Sequence, residues 1–286
     1  MADKFEDVPN LYLLTKCDMA CRFCYASKDL GRMPKARAMG VVDAFRRRGA
    51  THINITGGEA LLHPDALEIV AYAHQVGMQI TLFTSGSLYH ERRVVAFSPY
   101  LSWLALSLDG DETLNVAMGR IPKHYAKALE AIELTRLHAP TVRIRVATVV
   151  TRINVDGLRS LAMVLASERY KPDLWRLKQM VPTRRAAENE GELAVDDDVF
   201  AAAMSKLSSE FGSRIRMHVH PNSAKIADTM CVHPDGSATV TVRAGRGMKI
   251  LELGSMFADS DGVIDRWLVT RDETNARDYR DAWQPA

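Results

Sequence analysis

Three of the four cysteines stand at Cys17, Cys21 and Cys24, a C-x3-C-x2-C spacing directly after the apolar run Leu11 to Leu14. Thiolates held this close in sequence can converge on one soft metal centre. Three protein ligands are too few for a closed structural zinc site. A [4Fe–4S] cluster held by three thiolates instead leaves one iron open to a further ligand. The competing reading is a zinc knuckle completed by Cys231 or by a histidine. A disulfide framework fits poorly, because the chain is long, poor in cysteine and opens on no secretory signal.

A second motif, Thr56-Gly57-Gly58-Glu59, closes the β-rich run Ile53-Asn54-Ile55. With both motifs in this order and at strand ends, the sequence resembles the radical S-adenosylmethionine (SAM) superfamily. The resemblance implies that Cys17, Cys21 and Cys24 hold three irons of one [4Fe–4S] cluster. SAM would chelate the fourth and be cleaved reductively to a 5′-deoxyadenosyl radical that takes hydrogen from a substrate. It also implies that Phe23 packs on adenine and that Gly57 and Gly58 admit the ligand without a Cβ clash. Glu59 would accept from the SAM ammonium. Ser85, Ser107 and Arg120 match positions that contact the SAM ribose or carboxylate, Arg120 having a surface ion pair as its alternative.

The pattern sharpens towards the viperin-like, nucleotide-modifying branch. Asp109 to Arg120, His124, Thr148 to Asn154 and Trp175 to Gln179 follow that branch's order. Lys28, Arg145 and Arg176 fall at or near positions that hold substrate phosphates there, a role that suits guanidinium and ammonium groups. The alternative for Arg145 and Arg176 is an interstrand ion pair. Ala147 departs from the branch, which carries a polar substrate contact at this position.

Cys231 is the cysteine outside the motif, so a second cysteine-held [4Fe–4S] cluster is excluded by count. It reads either as a small buried hydrophobe or as a hydrogen-atom donor of the kind some radical SAM epimerases use. On the donor reading the chain is an epimerase of a small phosphorylated sugar or nucleotide. The alternatives are a viperin-like dehydratase or radical dehydrogenase, a peptide-modifying enzyme, and a zinc-stabilised binding protein without turnover. His218, His220 and His233 are further candidate contacts, with structural roles as the alternative. An electron donor such as flavodoxin or ferredoxin is an implied partner.

These residues need a scaffold that collects strand ends. Short apolar runs alternate with helical-period segments: strands over 11–14, 52–55, 79–84, 101–108, 142–150 and 174–181, and helices over 37–48, 64–76, 91–97, 125–137, 156–167 and 196–211. Six such units suit an open (β/α)6 partial TIM barrel, over residues 1–212. Residues 213–286 then form a small β-containing extension that caps the active site. In parallel α/β folds chemistry gathers at the carboxyl ends of the strands, where the motifs fall.

The 286 residues carry a formal charge of +2, which provides no field strong enough to favour nucleic acid. No apolar run reaches the roughly 20 residues of a membrane span. The acidic, polar opening does not read as a targeting peptide. A cytoplasmic protein is expected, with neither nucleic acid nor membrane as partner.

Overall fold

The computed structural model describes residues 8–26, 29–224, 229–244 and 247–270. In chain order the elements are β1 (Asn10–Tyr12), α1 (Lys35–Arg47), β2 (His52–Thr56), α2 (Ala66–Gln75), β3 (Gln79–Thr84), α3 (Glu91–Phe97) and β4 (Trp103–Ser107). Then come α4 (Glu112–Ala117), α5 (His124–His138), β5 (Arg143–Val150), α6 (Leu158–Leu165), β6 (Leu174–Gln179), α7 (Arg185–Glu188) and α8 (Glu190–Leu193). The last are α9 (Asp197–Phe211), β7 (Met217–His220), β8 (Cys231–Val232), β9 (Ser237–Ala244), β10 (Gly247–Ser255) and α10 (Ser260–Thr270). The expected alternation of strand and helix is therefore present.

The chain divides into two compact units, one of Met1–Cys17, Ser27–Leu82 and Ala224–Ala286, the other of Asp18–Ala26 and Phe83–Ser223. In the first, β1 pairs in parallel with β2, and β2 with β3, while β8 adds in parallel on the other side of β1. Strands β8, β9 and β10 then run antiparallel. In the second unit β4, β5, β6 and β7 are all parallel neighbours. Residues 213–286 thus contribute to both units, β7 beside β6 and β8 beside β1.

Period-two alternation explains each strand's two faces. Leu11, Ile53, Ile55, Ile80 and Leu82 are fully buried. In the second unit Ile144, Val146, Thr148, Trp175 and Leu177 form one buried face, and the Trp175 indole N–H donates to Thr148 Oγ1 at 2.9 Å. The other face of these strands carries the charged residues considered below.

Within the expected extension, residues 247–270 form a strand and a helix. β10 pairs along β9, and α10 turns Val263, Ile264 and Trp267 into the first unit, where Trp267 meets Phe45 of α1 edge-on at 6.5 Å. Arg48 pairs with Asp265 in the same unit. The rest of the expected cap, residues 271–286, lies outside the described residues. Trp267 is fully buried whereas Val269 is 84% exposed. Trp267→Ala should therefore cost about 3–5 kcal/mol in urea unfolding, and Val269→Ala less than about 0.5 kcal/mol.

Candidate functional site

The motif residues fall in both units. In the first are Cys17, Gly57, Gly58, Glu59 and Cys231; in the second are Cys21, Phe23, Cys24, Ser85, Ser107, Arg120, Arg145 and Arg176. Lys28 lies outside the described residues.

In the first unit the chain beyond β1 runs tightly against the turn after β2. The Gly58 N–H donates to Leu14 O at 2.7 Å and the Glu59 N–H to Lys16 O at 3.0 Å. A Cβ on Gly58 would lie 2.3 Å from Lys16 O, and one on Gly57 2.8 Å from Leu14 O. Both glycines are thus demanded by the approach of two backbones. Glu59 is buried, and its carboxylate accepts from the Leu61 N–H at 3.1 Å, capping the short 3-10 turn Ala60–Leu62. Cys231 begins β8 at the level of Asn10, the first residue of β1. Its sulfur has Asn10 Nδ2 and Thr229 O at 3.7 Å and the Tyr12 hydroxyl at 4.0 Å.

In the second unit the loop Asp18–Ala26 is held by the turn after α4. Ala20 N–H donates to Gly119 O and Arg22 N–H to Met118 O, at 3.1 and 3.0 Å. Gly119 has φ +90, and a Cβ there would meet Ala20 O at 2.5 Å. Phe23, expected to face an adenine, is buried with Met118, Met180, Ala186 and Leu193, and Cys21 packs against this cluster. The α7–α8 segment supplies two of these residues, and Asn189 donates to Arg22 O at 3.2 Å. Neither short helix was foreseen.

Arg120 is buried, not a surface residue. Its Nε and Nη2 donate to Asp109 Oδ2 at 2.9 and 2.6 Å, and its guanidinium lies 5.6 Å from the Phe23 ring centroid. The other oxygen of Asp109 accepts from the Val149 N–H at 2.9 Å. Ser85 Oγ lies 2.9 Å from Ser87 Oγ, which in turn donates to Asp18. Asp18 and Asp109 as partners of these groups are legible only once the fold is known. Ser107 closes β4 beside Ala147.

Burial pushes the Cys21 thiol above its ordinary range, and the Arg120 guanidinium opposes this without overcoming it. Such a thiol gains its negative charge most readily when a metal centre supplies the opposing charge. None of the four cysteines is in a disulfide, and among the described residues no three His, Cys, Asp or Glu side chains form a metal-holding group. The donor set itself, three soft thiols within one short loop, suits an iron–sulfur cluster.

A second constellation lies on one face of β4–β7. Parallel register puts Ala105 beside Arg145, Ala147 between Ser107 and Arg176, and Arg176 beside His218, with Lys178 beside His220. Every chargeable side chain on this face is basic. Arg143 and Arg145 lie over the Trp103 ring at 4.5 and 5.3 Å, and Arg176 Nη2 is 3.1 Å from His220 Nε2. Burial, then the fields of Arg176 and Arg145, lower His218 to about 4. Lys178 and the two histidines thus join Arg145 and Arg176. Arginines on alternate strand residues were the visible signal; the histidine contact depends on register.

The fold is α/β, with three thiols in one short stretch and a basic face on β5–β7. Residues 11–160 match the family described as the Radical SAM superfamily, and the chain belongs to it. The family's cofactors, one [4Fe–4S] cluster and SAM, are accordingly those of this chain. An S-adenosylmethionine-dependent nucleotide dehydratase of Lacinutrix mariniflava is 29% identical over 192 residues, 63% of this chain and 40% of the relative. The same name recurs among other relatives, in keeping with the viperin-like pattern. An AdoMet-dependent heme synthase of Nitratidesulfovibrio vulgaris is 26% identical over 195 residues, 65% of this chain and 50% of the relative. The chain therefore spans about half or less of these two relatives' lengths. SuiB of Streptococcus suis, solved bound to S-adenosylmethionine, superposes with a TM-score of 0.69 at 14% identity, over 93% of this chain and 66% of that one. That likeness fixes the fold as an open partial TIM barrel. No helix among the described residues is long and apolar enough to cross a membrane.

Two outcomes follow from this geometry. Asp109→Asn leaves a buried guanidinium without its counter-charge, so the variant should lose about 3–5 kcal/mol of stability. Asp109→Asn with Arg120→Met should recover much of that loss in urea unfolding. His124 Nε2 donates to Ser85 O at 2.9 Å, while burial, aided by Arg120, lowers the imidazole to about 3. The folded state then binds fewer protons than the unfolded one below the ordinary imidazole range near 6.5. Its contribution to stability is full above that range and shrinks as pH falls towards 3. Going from about pH 7 to about pH 5, wild type should lose about 2 kcal/mol more than His124→Gln, read as urea midpoints.

Proposed function

We propose that the chain is a radical SAM dehydratase that removes water from a phosphorylated nucleoside. The basic face of β5–β7 carries this reading. Arg145 stands level with the small residue Ala105 and Arg176 with Ala147, while Lys178 stands level with Val149 and His220. A flexible polyanion such as a nucleotide's phosphate chain matches guanidinium forks and an ammonium on a rigid sheet. The name shared by several relatives points the same way. The epimerase reading rested on Cys231 as hydrogen donor. Its place beside Asn10, at the start of β1, lends that reading no support.

Cys17, Cys21 and Cys24 would hold the cluster, and its open iron would take SAM. When bound, the pair supplies a 5′-deoxyadenosyl radical able to remove hydrogen from carbon. The protein's own residues bind and orient. By the family pattern, Gly57, Gly58 and Glu59 in the first unit and Ser85, Ser107 and Arg120 in the second would be the SAM contacts. Phe23, packed under Arg120, keeps the loop's apolar side dry. Arg145 and Arg176 anchor the phosphates away from the reacting carbon. The electron comes from a small carrier such as flavodoxin or ferredoxin, and a cytoplasmic setting suits that supply.

The test is anaerobic reconstitution to about four irons per chain, followed by dithionite-driven turnover with a panel of ribonucleoside triphosphates. At least one should raise 5′-deoxyadenosine release and yield a product lighter by one water. Arg145→Met should raise its KM more than about tenfold, the scale of one lost charge-assisted contact, with little change in kcat. SAM cleavage indifferent to every nucleotide, or a product of unchanged mass, would rule the reading out.

A further inference from the structure

Resting on that nucleotide reading, the contact between β6 and β7 assigns work to two histidines. Arg176 Nη2 and His218 Nδ1 both reach the same atom, His220 Nε2, at 3.1 and 3.2 Å. An arginine can only donate, so His220 Nε2 is the acceptor and the His220 proton sits on Nδ1. His218 Nδ1 can approach that acceptor only as a donor, so its proton also sits on Nδ1. His220 is then neutral, and the two rings meet edge-on with centroids 4.2 Å apart. The depression of His218 to about 4 by burial agrees with this assignment.

We infer that His220, braced by His218, is a positioning residue for anion binding, its Nε2 fixing the direction in which Arg176 presents its guanidinium to the substrate's phosphate chain. An arginine side chain loses up to about 2 kcal/mol of rotamer freedom when it is fixed. Settling that cost before the ligand arrives raises affinity without adding a contact to the ligand. A neutral acceptor suits the task, because a carboxylate in the same place would compete with phosphate for the guanidinium. The bond runs across strand register: Arg176 pairs with His218, and His220 stands one inward-facing position further along β7, level with Lys178. Arg176 is thereby turned along the strands towards their carboxyl ends.

Binding of inorganic tripolyphosphate to the cluster-loaded full chain, measured by anaerobic calorimetry, tests this without depending on turnover. Arg176→Gln should weaken binding about 30-fold, the scale of a charged hydrogen bond. His220→Leu should weaken it about fivefold, whereas His220→Gln, which can return an acceptor near the Nε2 position, should stay within about twofold of wild type. In an Arg176→Gln background His220→Leu should have no further effect, the coupling expected of one residue acting through another. Should His220→Leu not fold, His220→Asn, whose amide falls short of that position, should show the same loss, and full affinity in it would overturn the inference. An equal loss from His220→Leu in both backgrounds, or no rescue by glutamine, would overturn it too. Wild type that binds tripolyphosphate but shows no coupling removes the histidine role alone. Wild type that does not bind it removes this inference together with the phosphate site beneath it.

Discussion

The buried pair of Asp109 and Arg120 is the constraint on which the second unit's share of the site depends. Removing two charges from water costs several kcal/mol each, and only close geometry with full hydrogen bonding offsets this. Here the carboxylate meets two guanidinium nitrogens and the Val149 N–H, while its own backbone carbonyl accepts from Asn154 at 2.7 Å. Asn115 then fastens the turn, accepting from the Asp109 N–H and donating to Gly110 O. With Arg120 fixed in this way, the two residues before it have little freedom, and those residues hold Ala20 and Arg22 by their carbonyls. A charge pair at the end of β4 thus sets the path of the loop that carries Cys21 and Cys24. Gly119 is needed there because its positive φ and its distance to Ala20 O exclude a side chain.

Much of this was legible in the sequence because it rests on local pattern. Strands buried on one face show as apolar alternation, and β3 and α3 fall at the residues that the pattern predicts. The thiol spacing and Gly57-Gly58 are visible because the chemistry and the close backbone approach restrict the residue types. What escaped has no period to read. α4 is six residues long, and α7 and α8 four each, too short for a repeating face. α10 buries Val263, Ile264 and Trp267 among charged neighbours, so no apolar run marked it within the expected β-containing extension. β1 ends at Tyr12, earlier than its apolar run, because Leu14 leaves the sheet to bridge Arg32.

The basic face was half visible. Arg143 and Arg145 on alternate residues could be placed on one side of β5, but which side chains stand level with them could not. Register brings Trp103, Ala105 and Leu174 level with them, and both guanidiniums lie over the Trp103 ring. Ala147, which breaks with the viperin-like pattern, sits between Ser107 and Arg176. On the proposed nucleotide reading, a missing polar group at that point would leave recognition to Ser107 and Arg176 on either side. Similarity to a nucleotide dehydratase and departure from its pattern are therefore compatible. The phosphate end of a ligand can be held alike while the contacts nearer the sugar differ.

Cys231 stands at the amino end of β1, beside Asn10. A thiol that returns hydrogen to a carbon must touch that carbon, and in parallel α/β folds the reacting carbon lies beyond the carboxyl ends of the strands. In the first unit that end is marked by Gly57 against Leu14, whereas Cys231 is level with Asn10. Four residues of extended chain separate the two levels, about 13 Å along the strand. The surroundings of the sulfur fit a structural part: Asn10 Nδ2 approaches it, and Asn10 Oδ1 accepts from Asn54 at 2.9 Å. A small, weakly polar side chain suits this place, where β8 pairs with the start of β1.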